Sequence, residues 1–184
     1  MKKYTSFYKK ACDNKKEWLD SLKTSNLEVV ADELLKLGNK DWIVWSLAQP
    51  ETVQLLLDRG VDVNATNIDG DTALMSAAGN GYIKIINLLL DSEANVNAVN
   101  KYGSTALTWA VRNRHTKTVN LLLDRSADVN AANKDGITAL TLAERNGHTK
   151  IVKLLIDRKI YIKKIKNLIE CEHPELRDNP YQSR

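Results

Sequence analysis

The residues able to form a catalytic or metal centre are few and badly placed for it. The histidines are His115, His148 and His173, and the cysteines, Cys12 and Cys171, stand near opposite ends of a 184-residue chain. No Cys-x-x-Cys, His-x-x-x-His or other Cys/His spacing suited to zinc occurs, so neither a metal site nor a disulfide framework is expected, and both thiols are expected to be reduced. Gly-x-Ser-x-Gly and phosphate-cradling glycine loops are also missing. The carboxylates scatter to predicted turns (Asp62, Asp128) and predicted helix ends (Asp58, Asp91, Asp124, Asp157), where solvation or capping explains them. Asp91 and Asp124 even oppose the dipole slightly, each standing at a helix C-terminus. The sequence therefore predicts no catalytic residue, no metal, no cofactor and no enzyme.

His115 and His148 are nonetheless informative, because they occupy one position of a repeat. Asp69-Gly70-Asp71-Thr72-Ala73-Leu74 returns as Tyr102-Gly103-Ser104-Thr105-Ala106-Leu107 and as Asp135-Gly136-Ile137-Thr138-Ala139-Leu140, 33 residues apart each time. Asn87-Leu88-Leu89-Leu90-Asp91 and Val63-Asn64-Ala65 recur in the same register. Physically each unit reads as turn, helix, turn, helix, turn. Thr72, Thr105 and Thr138 are placed as N-caps whose hydroxyls accept from first-turn amides. Short first helices then bury Leu74, Leu107 and Leu140, and Gly81 and Gly147 suit the left-handed residue that ends a helix. Second helices are predicted over Ile83–Asp91, Thr116–Asp124 and Thr149–Asp157, with Ile, Val and Leu on one stripe. Neither helix can bury its stripe alone, so the units must stack.

This pattern resembles the ankyrin repeat, with its Thr-Pro-Leu-His-x-Ala signature, over about residues 41–159. The resemblance implies an all-α ankyrin-repeat solenoid: helix-turn-helix units with short β-hairpin-like fingers, between helical N- and C-terminal caps. Ala73, Ala106 and Ala139 replace the family's Pro, and Met75, Thr108 and Thr141 replace its His, which is expected to remove a hydrogen bond. The Gly-His pair of ankyrin turns implies a structural role for His115 and His148. Glu93 and Ser126 stand where Gly ends the second helix, as Gly60 does, and Arg114 stands where Gly81 and Gly147 do. A non-Gly residue held left-handed costs about 1 kcal/mol. The third unit is therefore expected to be the least stable locally.

The expected division is an N-terminal cap over 1–40, a first repeat over 41–67, repeats over 68–100, 101–133 and 134–159, and a C-terminal capping helix and tail over 160–184. In the N-terminal cap, a helix near Lys15–Lys23 carries Trp18, Leu19 and Leu22 inward, and a second follows through Leu37. Asp41–Ala48 then continues as a helix without an intervening finger, and Pro50 opens the next helix. Trp18, Trp42 and Trp45 crowd this end, either as core of the cap or as a contact surface. At the other end Tyr161–Cys171 reads as a basic amphipathic helix closing the stack, with Ile162, Ile165, Leu168 and Ile169 inward and Lys163, Lys164 and Lys166 wet.

Charge narrows the partner. Residues 1–40 carry nine Lys/Arg against six Asp/Glu, 41–157 carry eleven against thirteen, and 158–184 carry seven against four. A slightly acidic middle between slightly basic ends does not make the continuous basic face of a nucleic-acid binder. No apolar run is long enough to span a membrane, and none follows the basic N-terminus as a signal peptide would. A monomer that stays in the cytoplasm, or is delivered into a host cell, is expected.

What the ankyrin resemblance implies is a non-catalytic protein–protein interaction module that uses its concave face. On the finger tips the corresponding positions are Ile68, Asp69 and Asp71; Lys101, Tyr102 and Ser104; Lys134, Asp135 and Ile137. On the first helices they are Met75, Gly79 and Asn80; Thr108, Arg112 and Asn113; Thr141, Arg145 and Asn146. Trp109 breaks the repeat, since Ser76 and Leu142 are its counterparts. With Tyr102, Arg112 and Arg145 near, it is either a hot spot or packing between helices. The role implied is inhibitor, adaptor or bacterial host-directed effector. The alternatives are a toxin-neutralising, immunity-type partner, or a binder of nucleic acid or membrane surface through the basic ends.

Overall fold

The computed structural model describes residues 49–172, with side chains as far as Leu168. The expected N-terminal cap, the Asp41–Ala48 helix, Trp18, Trp42, Trp45, Cys12 and the tail from His173 lie outside the described residues. Within them the chain is helical: α1 (Pro50–Asp58), α2 (Ala73–Asn80), α3 (Ile83–Asp91), α4 (Ala106–Arg112), α5 (Thr116–Asp124), α6 (Ala139–Arg145) and α7 (Thr149–Glu172). Pro50 opens α1 as expected. The only extended pairing among the described residues is a pair of isolated bridges at the fingers, Thr66 with Thr72 and Ala132 with Thr138.

Each first helix starts where its threonine caps it. Thr72, Thr105 and Thr138 Oγ1 accept from the backbone N–H of Met75, Thr108 and Thr141, each at 3.3 Å. The loss of a hydrogen bond expected from the missing His is confined to one unit. Thr108 and Thr141 turn back and accept from the Thr105 and Thr138 N–H at 2.8 and 2.9 Å, completing a capping box that Met75 cannot make. First helices end left-handed at Gly81 (φ 72°), Arg114 (φ 60°) and Gly147 (φ 68°). Second helices end likewise at Gly60, Glu93 and Ser126. There the next N–H (Val61, Ala94, Ala127) reaches back to the carbonyl of Leu56, Leu89 and Leu122 at 3.2, 2.9 and 2.9 Å.

Stacking supplies the core. α2 packs on α4 and α4 on α6 in one layer, while α1 meets α3 and α5 meets α7 in the other. Leu74, Ile85, Ile86, Leu89, Leu107, Val111, Val119, Leu122, Ile151 and Leu155 are all nearly solvent-free. Each such side chain contributes about 1.5–3 kcal/mol by leaving water. Asp91 and Asp124 also find a use here. Arg125 of the next unit bonds Asp91 at 2.8 Å and Asn87 at 3.2 Å, and Arg158 pairs with Asp124. These links tie consecutive second helices across the outer surface, each worth about 0–1 kcal/mol. The last unit presents Glu144 to solvent where Ala78 and Val111 are fully buried in the units before it. No further unit could stack there without burying that carboxylate.

The C-terminal end departs from expectation. The second helix of the last unit does not stop at Asp157, and no separate closing helix follows. α7 runs 24 residues without a break. The cause is local. In earlier units Asp62, Asn95 and Asp128 follow the left-handed residue and accept from the N–H of Asn64, Asn97 and Asn130 at 2.9, 3.0 and 2.8 Å, which turns the chain. At the equivalent sites α7 has Lys159, Tyr161 and Lys163, and nothing there competes with the helix. Ile162, Ile165 and Leu168, expected inward, are 44%, 39% and 56% exposed. Among the described residues no helix is long and apolar enough to cross a membrane.

Candidate binding surface on the fingers and first helices

An asparagine organises every finger. Asn67 Oδ1 accepts from the N–H of Asp69 (2.9 Å) and Asp71 (2.8 Å). Asn100 does the same for Tyr102 and Ser104, and Asn133 for Asp135 and Ile137. Adjacent fingers then join through backbone, with the Lys101 N–H to the Asp69 carbonyl at 2.9 Å and the Lys134 N–H to that of Tyr102 at 3.2 Å. The fit is so close that a Cβ on Gly103 would stand 2.9 Å from Asn133 Cα. A second ladder joins the outer turns. Asn64 Oδ1 accepts from the Asn95 N–H at 2.7 Å, and Asn97 Oδ1 from the Asp128 N–H at 2.8 Å. Asn67, Asn100 and Asn133 stand outside the expected contact residues, and their 33-residue recurrence is the signal that marks them in the sequence.

This scaffold sorts the expected contact residues. Ile68 (77%) and Tyr102 (61%) project from the tips, and Lys101, Lys134 and Asp135 are exposed beside them. On the first helices Asn80, Arg112, Asn113 and Arg145 are exposed. Three expected surface residues are not available. Met75 is 1% exposed because its long side chain fills the core below α2, Ser104 is held inside the finger turn, and Thr108 is turned into its capping box. Asp69 and Asp71 are half-buried, and Asp71 is occupied by the Asn100 and Asn67 amides at 2.7 and 3.3 Å.

Between the second and third units the surface dips into a hollow of about 150 Å³, lined by Asn67, Asp71, Met75, Ser76, Gly79, Asn80, Trp109 and Asn113. Its wall is the half-buried Trp109, which lies across Gly79 so closely that a Cβ there would be 3.0 Å from the indole Cε3. The Gly79 carbonyl in turn accepts from Asn113 Nδ2 at 2.8 Å and faces His115 Nε2 at 3.0 Å. His115 is thus a tie between units. The Arg112 guanidinium stands 5.7 Å from the centre of the Trp109 ring, and the indole Nε1 is buried without an acceptor. Trp109 therefore serves both readings, packing between units while walling an open hollow. The structure brings Asp71, Asn80, Trp109 and Asn113 together there, while Lys134, Asp135 and Arg145 lie on the next unit.

An aromatic ring, a guanidinium and amides of this kind can hold a partner's surface. Among the described residues no three His, Cys, Asp or Glu side chains are grouped to hold a metal. Family models described as ankyrin repeats in three copies and ankyrin repeats in many copies match residues 42–133 and 113–156. No curated protein matches the chain.

Proposed function

The chain belongs to the ankyrin-repeat family, a family of protein–protein interaction modules, and we propose that it binds a partner protein through its fingers and first helices. Trp109, Tyr102 and Arg112 carry most of the affinity in this reading. The observation behind it is the hollow walled by Trp109, since that residue alone of its register is aromatic and the Arg112 guanidinium stands beside its ring. Trp, Tyr and Arg are the residues most enriched at interface hot spots, and a shallow hollow lets a partner side chain bury against them. The unpaired indole N–H adds a donor that a partner carbonyl can satisfy if the ring shifts toward the opening. Asp69, Asp71, Asn80, Asn113, Lys101, Lys134, Asp135 and Arg145 surround the anchor, fixing register more than strength. Met75 contributes as the floor of the hollow.

The proposed role is inhibitor, adaptor or effector, acting in the cytoplasm or in a host cell after delivery. An immunity-type partner that neutralises a toxin would use the same surface. Nucleic acid is a poorer fit, because Asp69, Asp135 and Glu144 interrupt the cations of this face. The test is affinity capture with wild type beside a Trp109→Ala/Tyr102→Ala/Arg112→Glu variant, after circular dichroism shows both folded. A protein held by wild type and lost by the variant supports the surface and names the target. One held equally by both removes the site from this face.

A further inference from the structure

α7 carries a second surface, distinct from the fingers. Its first half is anchored by the buried Ile151 and Leu155, but every residue from Tyr161 to Leu168 is exposed. Leu154, Arg158, Tyr161, Ile165 and Leu168 succeed one another at steps of four, three, four and three, the spacing of a helix-pairing seam. At about 100° per residue these five lie roughly 60–140° round the helix from the buried Leu155, all in the same sense, so the seam flanks the face that packs on the stack, on the side of α5. α5 flanks its beginning. Asn120 of α5 with Leu154, Arg158 and Tyr161 of α7 lines a groove of about 540 Å³, and Arg158 pairs with Asp124, the last residue of α5. Beyond Asp124 α5 has ended, and Tyr161 (59%), Ile165 (39%) and Leu168 (56%) continue the seam with no neighbouring helix among the described residues.

We propose that this seam docks an amphipathic helix of a partner protein, one whose apolar stripe is flanked by Asp and Glu. The charges select the occupant. From Arg158 to Leu168 there are five Lys or Arg and no Asp or Glu, and Lys150, Lys153 and Lys164 border the seam on one side against the single carboxylate of Asp157. A second copy would set this run against its own like charges. A flat bilayer is a poorer occupant, since α5 and the Asp124 and Asp157 carboxylates stand beside the seam. An acidic helix of about 15 residues meets neither obstacle: it spans the roughly 21 Å from Leu154 to Leu168, lying in the groove beside α5 and running on past its end.

The probe is a synthetic peptide of about three heptads with Ile and Leu at the seam and Glu at the flanks, compared with its twin carrying Lys in place of Glu. Titrated into the full chain by fluorescence anisotropy, the Glu peptide should bind at least about tenfold tighter than the Lys peptide and weaken as salt rises. Ile165→Asp/Leu168→Asp should abolish binding, and Lys150→Glu/Lys153→Glu/Lys164→Glu should invert the preference. All five positions are exposed, and circular dichroism confirms folding. The Trp109→Ala/Tyr102→Ala/Arg112→Glu variant should bind the peptide normally, which separates this surface from the finger face. Equal affinity for both peptides, or binding that survives Ile165→Asp/Leu168→Asp, overturns the proposal. So does a wild-type dimer in sedimentation, or adsorption to anionic phosphatidylglycerol vesicles, that the same double variant removes.

Discussion

At Gly81 the chain turns left-handed with the His115 imidazole where a side chain would begin: a Cβ there would stand 2.7 Å from His115 Nδ1. One unit later Arg114 holds the same conformation and does carry a Cβ, and His148 occupies the register of His115 in the unit after it. His115 reaches the Gly79 carbonyl, whereas His148 Nδ1 is buried without a partner. Arg114 thus carries a strained backbone, with a Cβ at the register where one on Gly81 would strike an imidazole. Arg114→Gly is expected to stabilise the fold by about 1 kcal/mol from the backbone alone, read as a higher urea midpoint at unchanged slope. A gain above that value would show that the Arg114 Cβ also crowds the neighbouring unit. The reverse change, Gly81→Ala, should destabilise by at least about 1 kcal/mol, because it adds the strain and strikes the imidazole. Gly79 makes a parallel case on the functional surface. Gly79→Ala improves helix propensity by up to about 1 kcal/mol in principle, yet its methyl would meet the Trp109 ring. The expected outcome is a fold of near-normal stability with weakened partner capture, and full capture would detach Trp109 from binding.

α4 and α6 owe their starts to pairs of threonines, and the buried pair of α4 can be weighed against the exposed one of α6. Thr108 is 6% exposed and its hydroxyl is the acceptor for the Thr105 N–H. Thr108→Val keeps the volume and leaves that amide without a partner, so a loss of about 1–3 kcal/mol in urea unfolding is expected. The exposed counterpart Thr141→Val should cost less, because water replaces the lost acceptor at Thr138. A similar loss at both sites would show that burial does not set the cost. The same elements show what the sequence reveals. Thr-Ala-Leu starts, the 33-residue register and the left-handed Glu93, Arg114 and Ser126 were legible because each rests on a local backbone preference. The continuity of α7 was harder to see, because it depends on residues that are missing: no Asp or Asn stands at Tyr161 to turn the chain. The candidate surface was half legible. Tyr102, Arg112 and Asn113 follow from repeat position, but Met75 and Ser104 share that pattern and are buried. Whether a side chain reaches into the core depends on its length and on the neighbouring unit, which a one-dimensional register does not contain.

At the scale of the whole stack, each unit touches only its neighbours, so stability is a sum of unit and interface contributions. The two ends of the final unit should then behave differently. Through Leu155 it is anchored to α5 and α6, and Arg158 adds the link to Asp124. From Lys159 to Leu168 no side chain is buried, so this part of α7 gains helix propensity but almost no hydrophobic stabilisation. A chain ending at Lys159 should therefore unfold within about 0.5 kcal/mol of the full chain, since surface changes away from packed features rarely exceed that. In hydrogen exchange on the full chain, amides beyond Ile162 should exchange through local fraying, well before those of α4 and α5, whose opening breaks interfaces on both sides. Adding the acidic probe peptide should slow exchange selectively in that projecting stretch if the seam is a docking surface. A truncation that lowers stability by several kcal/mol would mean that the projecting helix already packs on its own chain, and the seam would then belong to the fold.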